Sequence, residues 1–202
     1  MASLLTNVYR AYDLLAVHPR IDPSQIALMG FSLGGRTALW ANQKRFQQRY
    51  GPSRVTTFAA YLAFYPASCH IKLAEEERVS DAPIRIFHGL SDDAAKIERC
   101  REYVARLRDA GKDIEIFEYT GARHWFDNGD LAPLQPAWAG VNFSYCTFVE
   151  RDEKIIDAAT GEAAGVASPC VVSEGSFGYN AEARERATTD VHAFLKGLFR
   201  LK

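Results

Sequence analysis

The sequence predicts an α/β fold: a parallel sheet with helices on both faces, stacked as a three-layer αβα sandwich. Two observations predict it. Short apolar runs without polar alternation, such as "QIALM" and "TTFAAYLAFYP", read as strands covered on both faces. Segments with apolar residues at helical spacing separate those runs, so strand and helix alternate along the chain. That alternation implies right-handed crossovers, and in such a sheet ligand sites lie at the carboxyl ends of the strands.

The elements follow in order. Over residues 4–17, Leu4, Val8, Ala11, Tyr12 and Leu15 recur with a helical period, and Pro19 and Pro23 forbid its continuation. "QIALM" (25–29) gives the first strand and residues 33–46 a second helix. "TTFAAYLAFYP" carries the next strand and "APIRIFHGL" a third. Between residues 93 and 110, Ile97, Cys100, Val104 and Leu107 share one helical face, which Gly111 is placed to end. "KDIEIFEYTG" is a fourth strand. Residues 181–199 close the chain as a helix entered through Asn180, with Ala183, Ala187, Val191, Phe194 and Leu198 on one stripe. Residues 128–179, rich in Gly, Pro, Ala and Ser, are too long for an ordinary connection and predict an excursion with local hairpins, "SYCTFVERDEKIIDAA" among them. Residues 1–202 read as one domain containing that excursion.

Composition excludes several classes of partner. The chain of 202 residues is 48% hydrophobic and 24% charged, the makeup of a soluble domain with a substantial core. A formal net charge of −1, with Lys and Arg interspersed among Asp and Glu, leaves no footprint for nucleic acid. The longest apolar run, residues 58–67, is about half of a bilayer crossing, and residues 1–5 lack the blocks of an export signal, so no membrane partner is expected. Cys69, Cys100, Cys146 and Cys170 are widely spaced, with no C-x-x-C and no histidine pair at helical spacing, which argues against zinc. They are either two disulfides or buried thiols. Paired cysteines would place the chain in an exported, periplasmic-type compartment, free ones in the cytoplasm.

Gly30-Phe31-Ser32-Leu33-Gly34 fits G-x-S-x-G between a strand and a helix, the context in which that pattern marks a nucleophile. The flanking glycines are expected because a Cβ at either place would collide across the tight bend. Ser32 would then stand at the amino end of a helix, with the Leu33 N–H as a donor to a developing oxyanion. The alternative is a turn whose serine merely caps the helix.

A serine hydroxyl needs a base, and the base needs an acid to fix its tautomer. "HGLSDDAAK" puts Asp92 and Asp93 after the third strand, and "YTGARHWFD" puts His124 after the fourth. Serine, aspartate, histidine is the chain order this arrangement requires. Both aspartates are candidates for the acid: capping of the following helix by Asp93 would leave Asp92 for catalysis, and the alternative is a structural role for both. His18, His70 and His192 read as structural or solvated, and His88 as a core group beside the acid loop. Phe31, Trp125 and Arg36 are candidate substrate contacts. Phe126, Trp138, Tyr65 and Tyr145 join Trp125 as pocket aromatics, with plain core packing as the alternative.

Taken together, "GFSLGG", "HGLSDD" and "GARHWFD" at these intervals resemble the α/β-hydrolase superfamily, and more narrowly the dienelactone hydrolase family, from about residue 8 to the C-terminus. The resemblance implies a Ser32–His124–Asp92 triad, since the family's G-x-x-D pattern falls on Gly89-Leu90-Ser91-Asp92. It implies cleavage of a carboxylic ester or lactone, with no cofactor. Name-giving members have a cysteine where this chain has Ser32, and an arginine four residues after the histidine where this chain has Asn128. A broader ester substrate is therefore implied as much as a carboxylate-bearing lactone. Cysteines near these places pair in related exported proteins, which implies Cys69 with Cys100 and Cys146 with Cys170.

Members of the superfamily carry further strands before the nucleophile strand, and a loop among them supplies a second oxyanion donor. Here the nucleophile strand comes first, so the chain is expected to look like the carboxyl half of the fold. It should have an unpaired sheet edge that favours homo-oligomers and one oxyanion donor fewer. The other reading is a crippled hydrolase half acting as an interaction or assembly module. A peptidase or acyltransferase would share the triad. The short connection over residues 67–81 leaves no room for a large lid, so the site is open unless the excursion covers it.

Overall fold

The computed structural model describes residues 2–51, 58–134 and 140–201. In chain order the elements are α1 (Ala2–Ala16), β1 (Ala27–Phe31), α2 (Leu33–Ala41), α3 (Lys44–Tyr50), β2 (Ala60–Phe64), β3 (Ile71–Lys72), β4 (Ile84–Gly89), α4 (Ile97–Asp109), β5 (Ile114–Tyr119), β6 (Phe148–Arg151), β7 (Lys154–Asp157) and α5 (Ala181–Phe199). Strands β1, β2, β4 and β5 form a sheet in the order β1-β2-β4-β5, parallel at every pairing. Among the described residues no helix is long and apolar enough to cross a membrane.

Period-two alternation along the central strands decides which helix covers which face. Ala60, Leu62 and Phe64 of β2 pack with Phe87, Tyr119 and the Ala183, Ala187, Val191 stripe of α5. Ala63, with Ile84 and Ile86, points the other way, into a cluster with Leu39 of α2 and Val104 and Leu107 of α4. Helix α1 joins that second side through Leu5, Tyr9 and Tyr12, packed with Ile26, Ala41 and Tyr61. The buried Tyr9 hydroxyl is satisfied by donating to the Ala41 carbonyl at 2.8 Å. The three-layer arrangement follows. All of β2 is buried, whereas β1 leaves Met29 47% and Phe31 41% exposed, as an edge strand does.

Two elements depart from the sequence expectation for an identifiable tertiary or local reason. The first strand runs over Ala27–Phe31 rather than 25–29, because Asp22 accepts from the Ser24 N–H and starts a short 3-10 turn over Pro23–Gln25. The expected helix over 33–46 is two helices. Asn42 accepts from the Ser80 N–H and hydroxyl, Gln43 bridges Val79, and the Lys44 N–H donates to the Arg78 carbonyl at 2.9 Å. That tertiary pairing draws the backbone out of the helical path that the apolar spacing favours.

The excursion holds the expected hairpin, β6 antiparallel to β7, and β3 from the connection after β2 adds to it as a parallel third strand. Ile71, Leu73, Cys146 and Phe148 make a satellite core there. Arg45 of α3 grips Glu150 with a two-pronged ion pair. Disulfides join Cys69 to Cys100 and Cys146 to Cys170, the pairing the family resemblance implied.

Candidate active site

Ser32 sits between β1 and α2 with φ 49° and ψ −110°, a backbone conformation that L-residues rarely adopt. Its side chain makes no capping bond to α2. Its Oγ instead lies 2.8 Å from His124 Nε2. The Ser32 N–H donates to the Phe64 carbonyl at 3.0 Å, which fixes the bend against β2. Leu33 opens α2, so its N–H is among the first-turn donors that have no acceptor inside the helix.

Only one of the two flanking glycines is required by space. A Cβ at Gly30 would stand 2.2 Å from the Gly34 carbonyl oxygen, but one at Gly34 would meet nothing within 4 Å. The second close approach is at Gly35, where a Cβ would come 2.7 Å from the Phe64 carbonyl oxygen. The expectation for Gly34 is thus corrected: helix α2 turns its Gly35 face, not its Gly34 face, onto the end of β2.

His124 follows β5 and is 2% exposed. Its Nδ1 lies 2.9 Å from Asp92 Oδ2. The other oxygen of Asp92, Oδ1, accepts from the Ala94 and Ala95 N–H groups at 3.0 and 2.8 Å. One carboxylate therefore shapes its own loop and faces the imidazole at once. Gly89 is needed for this meeting, because a Cβ there would lie 2.2 Å from the Ala122 carbonyl oxygen in the loop that carries His124. The Ser91 N–H donates to that same carbonyl at 2.9 Å, so the loops that carry Asp92 and His124 touch along their backbones.

Asp93 does not cap α4, whose N-cap is Lys96. Its carboxylate accepts from the Ser176 N–H and hydroxyl instead, at 2.6 and 2.8 Å. The turn that precedes α4 is held by Asp92, so the local role and the imidazole contact fall on one aspartate, not two.

Aromatic rings enclose the imidazole. Tyr65 lies 4.7 Å and Trp125 5.8 Å from it, centroid to centroid. Tyr65 donates its hydroxyl to Asp127 at 2.5 Å, and burial together with that carboxylate pushes its pKa up, so it stays a protonated donor. Of the other pocket candidates, Phe126 is fully buried core, Tyr145 lies exposed under the Lys96 ammonium, and Trp138 falls outside the described residues. Phe31 packs on Phe64 at 4.7 Å and keeps a partly exposed edge beside Ser32. The Arg36 guanidinium lies over the Trp40 ring at 5.6 Å, and its buried Nε has no hydrogen-bond partner. His88 is buried, with its pKa pushed down by that burial, and its Nδ1 faces the Gly89 carbonyl at 3.1 Å.

Sequence reasoning missed Arg123, Asp127 and Ser176. Each contacts a site residue or its chain neighbour; Arg123 and Asp127 lie within "GARHWFD", but nothing in that motif shows their partners, and Ser176 belongs to no motif or periodic pattern. Tyr65 was legible only as an aromatic at a strand end, and its φ of +33° was not.

A model of the dienelactone hydrolase family matches residues 1–199. None of the curated proteins matches the chain. Among solved structures it is similar to a dienelactone hydrolase-like promiscuous phosphotriesterase from metagenomic libraries, with TM-score 0.59 and 17% identity over 96% of this chain and 61% of that one. It is also similar to a thermophilic esterase of the planctomycete Thermogutta terrifontis bound to propionate, with TM-score 0.50 and 22% identity over 64% of this chain and 57% of that one. The chain thus spans about three fifths of the length of these structures, and at such identities the likeness shows the fold. With nearly the whole sequence matched by the family model and the fold shared with family-like enzymes, the chain belongs to the dienelactone hydrolase family of the α/β-hydrolase superfamily.

Proposed function

We propose that this chain is a serine hydrolase that cleaves a carboxylic ester or lactone through an acyl-enzyme intermediate. The observation that carries the reading is the continuous hydrogen-bonded chain from Ser32 Oγ through His124 to Asp92 Oδ2, at 2.8 and 2.9 Å. His124 Nε2 takes the hydroxyl proton as Ser32 Oγ adds to the carbonyl carbon. The resulting oxyanion lies at the amino end of α2, where the Leu33 N–H and the helix dipole stabilise it. The imidazolium passes its proton to the leaving alkoxide as the C–O bond breaks, giving the acyl-serine and an alcohol. Water, deprotonated by His124, then adds to the acyl carbon, and Ser32 leaves with the proton as the free acid departs. Asp92 holds the Nδ1–H tautomer and stabilises the imidazolium in both halves. Phe31 and Trp125, flanking Ser32 and His124, contact the acyl or alcohol part. Arg36 lies near the start of the same helix as a candidate contact for a polar substituent.

A fluorophosphonate probe and a p-nitrophenyl acetate assay test this. Wild type is expected to be labelled and to hydrolyse the ester, and Ser32→Ala to do neither. Well-folded wild type that is neither labelled nor active would overturn the reading in favour of an interaction module.

Self-association through β1 is part of the same proposal. Among the described residues β1 pairs only with β2, and its segment Ala27–Phe31 carries no charge and no proline. Proteins ordinarily protect such an edge.

A further inference from the structure

The excursion does more than cross the surface near the site. We propose that Ser176 is a positioning residue, which with Asp93 and Arg123 fixes the spacing between the acid loop and the base loop. The inference rests on the hydrolase reading and adds to it a residue outside the Ser32–His124–Asp92 chain.

The geometry is a second hydrogen-bonded chain beside the first. Asp93 is the neighbour of Asp92, and Arg123 is the neighbour of His124. Ser176 joins them: its N–H and hydroxyl both donate to the Asp93 carboxylate, at 2.6 and 2.8 Å, and Arg123 Nη1 donates to its Oγ at 2.5 Å. The direct Arg123–Asp93 ion pair is longer, 3.8 Å, and both side chains are partly exposed, so alone it would hold the loops weakly. The serine between them supplies the short contacts.

Backbone contacts extend the latch to the base itself. Phe177 forms a parallel bridge with His124, and the Gly178 N–H donates to the His124 carbonyl at 3.1 Å. On the acid side, the Asp93 carbonyl accepts from Asn142 Nδ2 and from the Ser144 hydroxyl, both at 3.0 Å. Asn142 Nδ2 also donates to the Glu174 carbonyl, which closes the excursion on itself. Residues 174–178 therefore hold both loops, through Asp93 on one and Arg123 and His124 on the other. A displacement of about 1 Å between catalytic groups costs on the order of 100-fold in rate, so a latch at this place acts on turnover rather than on binding.

The test uses Ser176→Ala, which removes no charge, and Ser176→Thr, which keeps both the hydroxyl and the N–H. For p-nitrophenyl acetate, Ser176→Ala is expected to lower kcat about tenfold with KM little changed, and Ser176→Thr to restore it. Asp93→Ala combined with Ser176→Ala should lose no more than Asp93→Ala alone, since the two act as one unit. A second readout does not depend on catalysis: the low-field proton NMR signal of the His124 Nδ1–H, bonded to Asp92, should exchange with water about tenfold faster in Ser176→Ala. Ser176→Ala protein that melts like wild type and leaves both kcat and that exchange rate unchanged overturns the inference. Wild type that has no Ser32-dependent hydrolysis but an exchange rate sensitive to residue 176 overturns the hydrolase reading while supporting the latch.

Discussion

The carboxylate of Asp92 serves His124 through Oδ2 alone, at 2.9 Å, and leaves Oδ1 to hold its own loop. This division separates two consequences of mutation. Asp92→Asn keeps an acceptor for the Ala94 and Ala95 N–H groups but turns a donor toward Nδ1, which drives the imidazole proton to Nε2 and leaves Ser32 without a base. Turnover of p-nitrophenyl acetate should fall by about 10⁴-fold with little change in melting temperature. Asp92→Ala should lose stability as well. Residual activity of Asp92→Asn within tenfold of wild type would contradict this.

The elbow glycines predict an asymmetry. Gly30→Ala drives a Cβ into the Gly34 carbonyl and should destabilise by about 3 kcal/mol. Gly34→Ala meets open space inside α2 and should be neutral or stabilise by up to about 1 kcal/mol, as alanine does in helices. Urea midpoints of the two variants decide the matter: equal losses would mean that the bend is packed differently.

How much of this was legible in the sequence depends on whether the signal was local. Helix α5 is found at the residues its apolar stripe and Asn180 marked, because periodicity and a capping side chain are local, and Asn180 does accept from the Ala183 N–H. Ser32, Asp92 and His124 were legible because each lies in a short motif just after a strand. The break of the second helix at Asn42 was not, since its cause, Ser80, is far along the chain. The same holds for Ser176. Nothing around it shows that it will meet Asp93 and Arg123, because that meeting is made by the path of the whole excursion. The role of Asp93 was misread for the same reason: capping is the local expectation, and a distant serine displaced it.

His70 predicts a pH dependence of stability. Burial, and then the charges of Arg36 and Arg99, push its pKa down to about 4, from an ordinary value near 6.5. Between those values the unfolded chain binds the proton and the folded chain does not. Its contribution is therefore fully present above about pH 6.5 and is lost as pH falls toward 4. His88, also pushed down by burial, acts in the same direction. His70→Phe should show a smaller loss of urea midpoint between pH 7 and pH 4.5 than wild type. An identical loss would remove His70 from the account.

The exposed β1 edge predicts association that grows with concentration. Met29→Lys, which puts a charge beside that edge, should shift the chain toward monomer in size-exclusion chromatography with light scattering. A chain that is monomeric at every concentration would count against an open edge.

The Cys146–Cys170 bond closes a segment of sequence separation 24 within the excursion, so its removal should cost about 3 kcal/mol of stability on chain-entropy grounds. Because the latch residues Ser176 and Asn142 lie just outside that closed segment, Cys146→Ser with Cys170→Ser should also lower kcat. The pair Cys69→Ser with Cys100→Ser, which frees α4 from the loop after β2, should affect melting more than turnover. Thermal melts and initial rates on the two double variants separate these effects.

Ser32, Tyr65 and Trp125 all have positive φ, at 49°, 33° and 59°; the first two directly follow β1 and β2, and Trp125 lies in the loop after β5, so all three stand beyond the carboxyl ends of parallel strands. Each such residue stores roughly 1–3 kcal/mol that a glycine would release. Heat resistance and reactivity therefore pull in opposite directions at this end of the sheet. A laboratory selection that rewarded thermal endurance alone would drift toward glycine at position 32, and under the proposed mechanism the survivors would be tougher molecules with nothing left to acylate.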